Sequence, residues 1–312
     1  MRRRRSSTRS PTPSARAICR CPPRRWRCGP PCRRHKPPWP RNKGGIRMYP
    51  TTYHKAQSLA DAVARLSGGE AAKVLSGGQT LLPTMKQHLA APTDLVDVRG
   101  IAEMNGICMG DGAISVGAAT CHADVAANAD VRAHIPALAA LAGGIGDPAV
   151  RAMGTIGGSV ANNDPAADYP AAVLGLGATV VTNAREIAAD DFFQGMFTTA
   201  LEEDEIITAV RFPVPDRAGY SKFPNPASRY AMAGVFVCFT GGAVRVAVTG
   251  ASEEGVFRHA GMEAALSQAF DAQALDAVTV EAEGLLGDIH GTAAYRAHLV
   301  RVMAKRAVAN AG

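Results

Sequence analysis

The chain has 312 residues, enough for two or three domains, and a formal net charge of +7. That charge sits at one end. Residues 1–47 hold 16 of the 34 Lys and Arg, no Asp or Glu, nine of the 20 prolines and four of the seven cysteines, which leaves 18 basic against 27 acidic residues from Met48 onward. An acidic body argues against a nucleic-acid surface, no apolar run reaches the length of a membrane span, and no apolar signal core is present, so a soluble cytoplasmic protein is expected.

In chain order, residues 1–47 are too poor in apolar side chains to bury a core, and a disordered Pro/Arg-rich extension is expected there. Cys19, Cys21, Cys28, Cys32 and His35 lack paired CxxC spacing, which argues against a metal site. Ordered-looking sequence begins at Tyr49-Pro50, and the simplest reading is an over-long gene start with Met48 as the true one. Leu59, Ala62, Val63 and Leu66 fall on one face of a predicted helix over 55–66, with Ser58 as its cap. Lys73-Val74-Leu75 predicts a short strand running into Ser76-Gly77-Gly78-Gln79-Thr80, and residues 94–98 predict a second strand.

A hairpin is expected over 107–118 around Gly110-Asp111-Gly112. It is followed by a helix over 121–128 opened by Thr120 and an Ala-rich helix over 135–142 ending at Gly143-Gly144. Residues 151–182 close in a helix and a buried strand. Strands are expected at 220–223 and within 229–251, the latter joined at Gly241-Gly242, and helices at 260–269, 271–283 and 291–309. Strands and helices are segregated rather than alternating, which argues for α+β subdomains with boundaries near residues 100 and 217. Cys108, Cys121 and Cys238 read as buried free thiols in a reducing compartment.

No phosphate-binding GxxxxGK[ST] run occurs. Gly144-Ile145-Gly146-Asp147-Pro148-Ala149 formally fits a dinucleotide fingerprint, but a helix precedes it and Pro148 is expected to spoil the turn. The informative segments are SGGQT (76–80) and TIGGS (155–159). In each, paired glycines offer consecutive backbone N–H groups with no Cβ in the way, and Thr80, Thr155 and Ser159 add hydroxyls. Two such concavities facing one another would clamp a pyrophosphate without lysine. A lone Gly-Gly pair is more often a plain turn; two, each flanked by hydroxyls, favour binding. Asp168 could accept hydrogen bonds from cofactor hydroxyls, while Asp164 reads as a cap or turn residue. His54, His88, His122 and His134 read as surface or core histidines, and no acid–base or nucleophile set can be assembled.

LSGGQTLLP (75–83) and GTIGGSVANNDPAADYPA (154–171) carry a resemblance that extends over residues 48–312. Further matches are YPTTYHKAQSLADAVARL (49–66), IGDPAVRAMGT (145–155), FFQGMFTTALEEDEIITAVRFPVP (192–215) and YSKFPNPASRYAMAGVFV (220–237). Together they resemble the FAD-binding medium subunit of the carbon monoxide dehydrogenase family, a module also found inside xanthine dehydrogenases. The resemblance implies an α+β fold: a two-subdomain FAD-binding unit of the vanillyl-alcohol oxidase (PCMH) type over 48–100 and 101–217, then a C-terminal α+β flavoprotein domain over 218–312.

The same resemblance implies FAD as cofactor. It matches Ser76, Gly77, Gly78, Gln79 and Thr80, and Thr155, Ile156, Gly157, Gly158 and Ser159, to two pyrophosphate loops. It matches Asp168 to an FAD-contacting aspartate, Lys222 and Tyr230 to residues that reach the flavin, and Ile145 and Ile207 to apolar cofactor neighbours. Some members carry His or Asn where Gln79 stands, an exchange that keeps hydrogen-bonding capacity. No residue is matched to a catalytic or metal-binding role. The chain has no iron–sulfur cysteine spacing and no molybdenum-cofactor sequence. The resemblance therefore implies a heterotrimer with a small [2Fe–2S] subunit and a large molybdenum subunit, in which this chain relays electrons to an external acceptor. Such a relay needs no proton-transfer side chain of its own. Two other readings are a stand-alone flavin oxidase, for which no base is found, and an assembly module without flavin, against which the intact loops argue.

Overall fold

The computed structural model describes residues 48–312; the expectations for residues 1–47 (disorder, no metal site, a start at Met48) lie outside the described residues. The first segment runs β1 (Thr52–Lys55), α1 (Leu59–Gly68), β2 (Ala72–Leu75), α2 (Leu81–Lys86) and β3 (Asp94–Asp97). Its three strands form a parallel sheet in the order β1-β3-β2. Helix α1 begins later than the predicted residue 55 because residues 52–55 pair with β3 instead. Ser58 is its cap, with Oγ accepting from the Asp61 N–H at 3.2 Å. Ala62 and Leu66 are buried, and Leu59 and Val63 pack beside them. The alternation here is βαβαβ, so strands and helices are segregated only beyond residue 100.

The second segment opens with a hairpin, β4 (Ile107–Gly110) and β5 (Ala113–Gly117). Asp111 and Gly112 both have positive φ, at 52° and 72°, the twist a two-residue hairpin turn requires. Six short helices follow: α3 (His122–Ala127), α4 (Ala129–His134), α5 (Pro136–Gly143), α6 (Pro148–Met153), α7 (Ile156–Asn162) and α8 (Tyr169–Gly175). The segment ends with β6 (Thr179–Thr182), β7 (Glu186–Ala188), α9 (Ala189–Phe192), β8 (Phe193–Gly195), β9 (Thr198–Thr199) and β10 (Ile207–Pro213). The main sheet is antiparallel, in the order β4-β5-β10-β6-β7.

Two local expectations are corrected in this segment. Thr120 does not cap α3; its hydroxyl bonds the Gly106 N–H and carbonyl, and Cys121 takes the cap position. Pro148 does not spoil a turn. It is the first residue of α6, where its fixed φ suits the helix, and Asp147 Oδ1 accepts from the Val150 N–H at 2.9 Å. The fingerprint reading fails because helix α5 precedes it.

The third segment is an antiparallel meander, β11 (Arg217–Pro224), β12 (Ala231–Thr240), β13 (Ala243–Ser252) and β14 (Gly255–Arg258), followed by α10 (Ala260–Gln268) and α11 (Ala293–Asn310). Alternate residues of its strands serve two cores. Phe236, Cys238 and Ala247 join a continuous core that reaches back to Ala56, while Val235, Val237, Val246 and Val248 pack in a second one with α11. Helix α11 approaches the sheet closely at Gly219, where a Cβ would stand 1.9 Å from the Ala307 carbonyl oxygen. The predicted helix over 271–283 reduces to one short 3-10 turn, Ala272–Leu275. Val278 and Val280 both pack on the second core, a spacing of two that suits extended chain.

Of the three cysteines among the described residues, only Cys238 is buried; Cys121 is half-buried and Cys108 is exposed on the edge strand β4. Among the described residues, no helix is long and apolar enough to cross a membrane, and no cluster of His, Cys, Asp and Glu could hold a metal ion.

Candidate functional site

A cleft of about 620 Å³ collects residues from all three segments. Its walls include residues 76–80, Thr155, residues 157–159, Asp168, Ile145, Ile207 and Tyr230. A second cavity of about 470 Å³ lies beside the turn after β13, walled by Glu253, Glu254, Glu281 and Glu283. Four carboxylates disfavour an anionic ligand there, so the first cleft is the candidate.

The first glycine motif leaves the C-terminal end of β2. Pairing holds as far as Leu75, whose carbonyl accepts from the Val98 N–H at 3.0 Å. The chain then turns through Gly78 at φ +68°, a conformation glycine adopts without a Cβ penalty. A Cβ on Gly77 would stand 2.4 Å from the Met153 carbonyl oxygen and 2.6 Å from Gly154 Cα. The first motif thus rests directly on the residue before the second. No acceptor among the described residues takes the N–H groups of residues 77–80, so they remain available to a ligand.

The second motif is not a loop but the first turn of α7, capped by Thr155. Its N–H groups are already bonded. Ile156 donates to the Thr120 carbonyl at 3.1 Å and Gly157 to the Ala118 carbonyl at 2.9 Å. Gly158 donates to Thr155 Oγ1 at 3.2 Å and Ser159 to the Thr155 carbonyl at 3.1 Å. A Cβ on Gly157 would lie 2.5 Å from Ala118 Cβ, whereas one on Gly158 would meet only Thr155 Oγ1 at 3.0 Å and Ser76 Cβ at 3.8 Å. The Ile156 side chain is fully buried in the core and does not line the cleft. The two motifs are joined by a 2.7 Å hydrogen bond between the Ser76 and Thr155 hydroxyls. Open N–H groups on one side, the Thr155 and Ser159 hydroxyls on the other, and the missing Cβ of Gly158 fit the pyrophosphate of the FAD implied by resemblance.

Also in the cleft wall, Asp168 is buried and accepts from the Tyr220 hydroxyl at 2.5 Å and from Lys222 Nζ at 2.9 Å. Burial pushes its carboxyl above the ordinary value, while Lys222 and Tyr220 pull it back. Lys222 Nζ also donates to the Arg229 carbonyl at 3.1 Å. Lys222 thus bridges Asp168 and the Arg229 backbone, two residues of the cleft wall next to Tyr230. Burial raises the Tyr230 hydroxyl, with Asp164 and Asp168 adding to the effect.

The segment between α7 and α8 hangs from the third sheet. The Gly250 N–H donates to the Pro165 carbonyl at 2.8 Å, the Thr249 hydroxyl reaches the Pro165 and Ala167 carbonyls at 3.0 and 2.6 Å, and the Ala231 N–H reaches the Ala166 carbonyl at 3.2 Å. Asp164 is a turn residue as expected, accepting from the Ala166 N–H at 2.9 Å, but it also lines the cleft. Arg151 shapes the turn that brings in Ile145, donating to the Ile145 and Gly146 carbonyls at 2.9 and 3.1 Å. Ile207 follows a loop fixed by Glu205, which accepts from Arg185 and from the Thr182 hydroxyl; the Arg185 guanidinium holds that carboxyl down at about 2.

Sequence reasoning missed His122, Leu201 and Arg229 in the cleft wall. His122 is buried, and burial with the Arg151 charge nearby pushes it down to about 4, so its imidazole is neutral. Nothing in its local sequence distinguishes it, because only the fold brings it under Gly154.

A family model described as the FAD binding domain in molybdopterin dehydrogenase matches residues 47–215. The chain is similar to the carbon monoxide dehydrogenase medium chain of Afipia carboxidovorans, at 36% identity over 275 residues, covering 83% of this chain and 96% of that one. It is also similar to the nicotine 6-hydroxylase medium subunit of Paenarthrobacter nicotinovorans, at 33% identity over 274 residues, with 83% and 96% covered. Its fold matches a chain in the crystal structure of the cyanide-inactivated Cu,Mo-CO dehydrogenase with a TM-score of 0.78 and 36% identity, covering 85% of this chain and 99% of that chain.

Proposed function

The chain belongs to the family of FAD-binding domains in molybdopterin dehydrogenases, and from that premise we propose that it is the electron relay of a three-subunit molybdenum hydroxylase. In this reading, electrons come from [2Fe–2S] clusters on a small partner subunit, reduced in turn by a molybdenum cofactor on a large one. They leave from this chain to an external acceptor, in the cytoplasm. Bound FAD supplies the redox chemistry; the chain binds and orients it. The observation that carries the proposal is the joining of two glycine motifs, 79 residues apart at Ser76 and Thr155, across one cleft.

Residues 77–80 donate backbone N–H groups to the pyrophosphate, and Thr155 and Ser159 add hydroxyls. Tyr230 covers the cofactor at the far end, with Asp168 in the wall and Ile145 and Ile207 as apolar neighbours. Lys222, matched by the resemblance to a residue that reaches the flavin, has a second role. Its ion pair with Asp168 and its bond to the Arg229 carbonyl make it a residue that sets the turn before Tyr230. Residues 48–100 and 101–217 form the two FAD-binding subdomains of this proposal, and 218–312 the C-terminal domain.

The test is to purify the full chain alone and with its partner chains. The complex should carry flavin that acid precipitation releases, together with iron–sulfur and molybdenum centres. Flavin on the single chain should be reduced by dithionite and reoxidised by an artificial acceptor, with no turnover of aldehyde, purine or carbon monoxide. Turnover by the single chain would overturn the relay in favour of a stand-alone oxidase, and a flavin-free complex would favour an assembly module.

A further inference from the structure

Tyr220 precedes Lys222 by two residues on β11, so both side chains leave the same face of the strand. Its hydroxyl donates to Asp168 Oδ1 at 2.5 Å, and Lys222 Nζ lies 2.9 Å from the same oxygen. The neighbouring strand makes room for this contact. At Gly234, which pairs with Lys222 and Thr249, a Cβ would stand 2.7 Å from the Tyr220 hydroxyl oxygen. A niche on β12 thus accommodates the phenol where it reaches the carboxylate, and nothing in the motifs singles this tyrosine out.

We propose that Tyr220 is a positioning residue for the cofactor cleft: its hydroxyl keeps the Asp168 carboxylate ionised, and ionised Asp168 holds Lys222, whose bond to the Arg229 carbonyl sets the turn carrying Tyr230. The charge logic follows from burial. A carboxylate removed from water needs donors to stay ionised. Asp168 has two side-chain donors, Tyr220 and Lys222, both from β11. The other titratable groups near it are Tyr230 and Asp164 in the cleft wall, Tyr169 beside it on α8, and His122, packed on Tyr169 with ring centroids 5.3 Å apart and neutral above about 4; the Tyr169 hydroxyl is buried and has no partner of its own. None of these supplies positive charge above about pH 4, so loss of the Tyr220 hydroxyl leaves Lys222 to hold the carboxylate alone.

The sign is fixed by which form holds Lys222. As pH falls, Asp168 takes a proton, the attraction on Lys222 is lost, and the turn before Tyr230 is released, so FAD retention falls on the acid side. Burial raises the Asp168 carboxyl and the Tyr220 bond lowers it, so removing that bond moves the acid limb to higher pH.

The inference rests on FAD occupying this cleft. The experiment measures FAD retained by the full chain in its complex from about pH 4 to about pH 8, a window set by the ordinary carboxylate range. Tyr220→Phe keeps the ring. It should match the unaltered complex at the upper end, with its acid limb moved up by roughly half to one pH unit, the size of a single lost hydrogen bond. Asp168→Asn should retain less FAD throughout and lose that limb. A Tyr220→Phe limb that coincides with the unaltered one overturns the proposal. So does an Asp168→Asn complex that keeps the limb, a result that decides even where Tyr220→Phe does not fold. An unaltered complex without FAD at any pH overturns the function proposed above, whereas a flavin-bearing complex with an unmoved limb overturns the role of Tyr220 alone.

Discussion

Residues 76–80 leave a parallel strand as an open loop, with Gly78 at φ +68° and the N–H groups of 77–80 unbonded, whereas residues 155–159 form a helical turn whose N–H groups already bond to residues 118–120 and to Thr155. In both, one glycine is required by backbone packing and the other by the cleft. Gly77 lies against Met153 and Gly154, and Gly157 against Ala118, while Gly78 makes the turn at the cleft and Gly158 lines it, where a Cβ would meet only Thr155 Oγ1 at 3.0 Å and Ser76 Cβ at 3.8 Å. A Gly-Gly pair is therefore two devices side by side. The first motif offers donors; the second offers hydroxyls and a surface without a Cβ.

The largest expected effects test the packing glycines. Gly157→Ala places a Cβ 2.5 Å from Ala118 Cβ, and Gly77→Ala places one 2.4 Å from the Met153 carbonyl oxygen. Each should cost roughly 2–4 kcal/mol of stability through forced backbone shifts, read by urea unfolding. Unfolding midpoints equal to the unaltered chain's would break the division of labour.

The cleft glycine should behave the other way. Gly158→Ala should change stability by less than about 1 kcal/mol, since alanine suits a helical turn. It should weaken FAD retention by roughly tenfold or more, because a methyl group denies the phosphate its close approach. Equilibrium dialysis against FAD measures this, and unaltered retention would make the second motif a packing device only. Smallest are the hydroxyls that join the motifs. Thr155→Ala should cost about 1 kcal/mol through loss of a helix cap, and Ser76→Ala about 0.5–1 kcal/mol. The double variant should show a coupling of roughly 0.5 kcal/mol or more; strictly additive losses would mean that the 2.7 Å contact contributes nothing.

Much of this was legible in the sequence because it depends on local chemistry. Ser58 caps a helix, Asp111-Gly112 turns a hairpin, and Gly241-Gly242 joins two strands, each from short-range pattern alone. The helical nature of residues 156–159 was not legible, because two consecutive glycines disfavour a helix and only the bonds from Ile156 and Gly157 to residues 118 and 120 offset that. Nor was Lys222's place: a lysine eight residues before a tyrosine says nothing about a buried carboxylate 54 residues upstream. The contact of Tyr220 with Asp168 and the place of His122 in the cleft wall escaped notice for the same reason, since what marks them is a partner or a neighbour brought by the fold. Ile156, by contrast, lies within a recognised motif yet points into the core.

The suspension of residues 164–168 from Thr249 and Gly250 has a consequence for the order in which the molecule is made. The Thr249 hydroxyl and the carbonyl of Pro165 are 84 residues apart in the chain. Both glycine motifs and residues 164–168 leave the ribosome well before the strand from which residues 165–167 hang, so the cleft acquires its final wall only after β13 has been synthesised and has paired. The family match ends at residue 215; a nascent chain of that length carries both motifs, and the strand ends that fix Asp168 are still to come. The wall at residues 164–168 is therefore complete only in a chain that extends past β13.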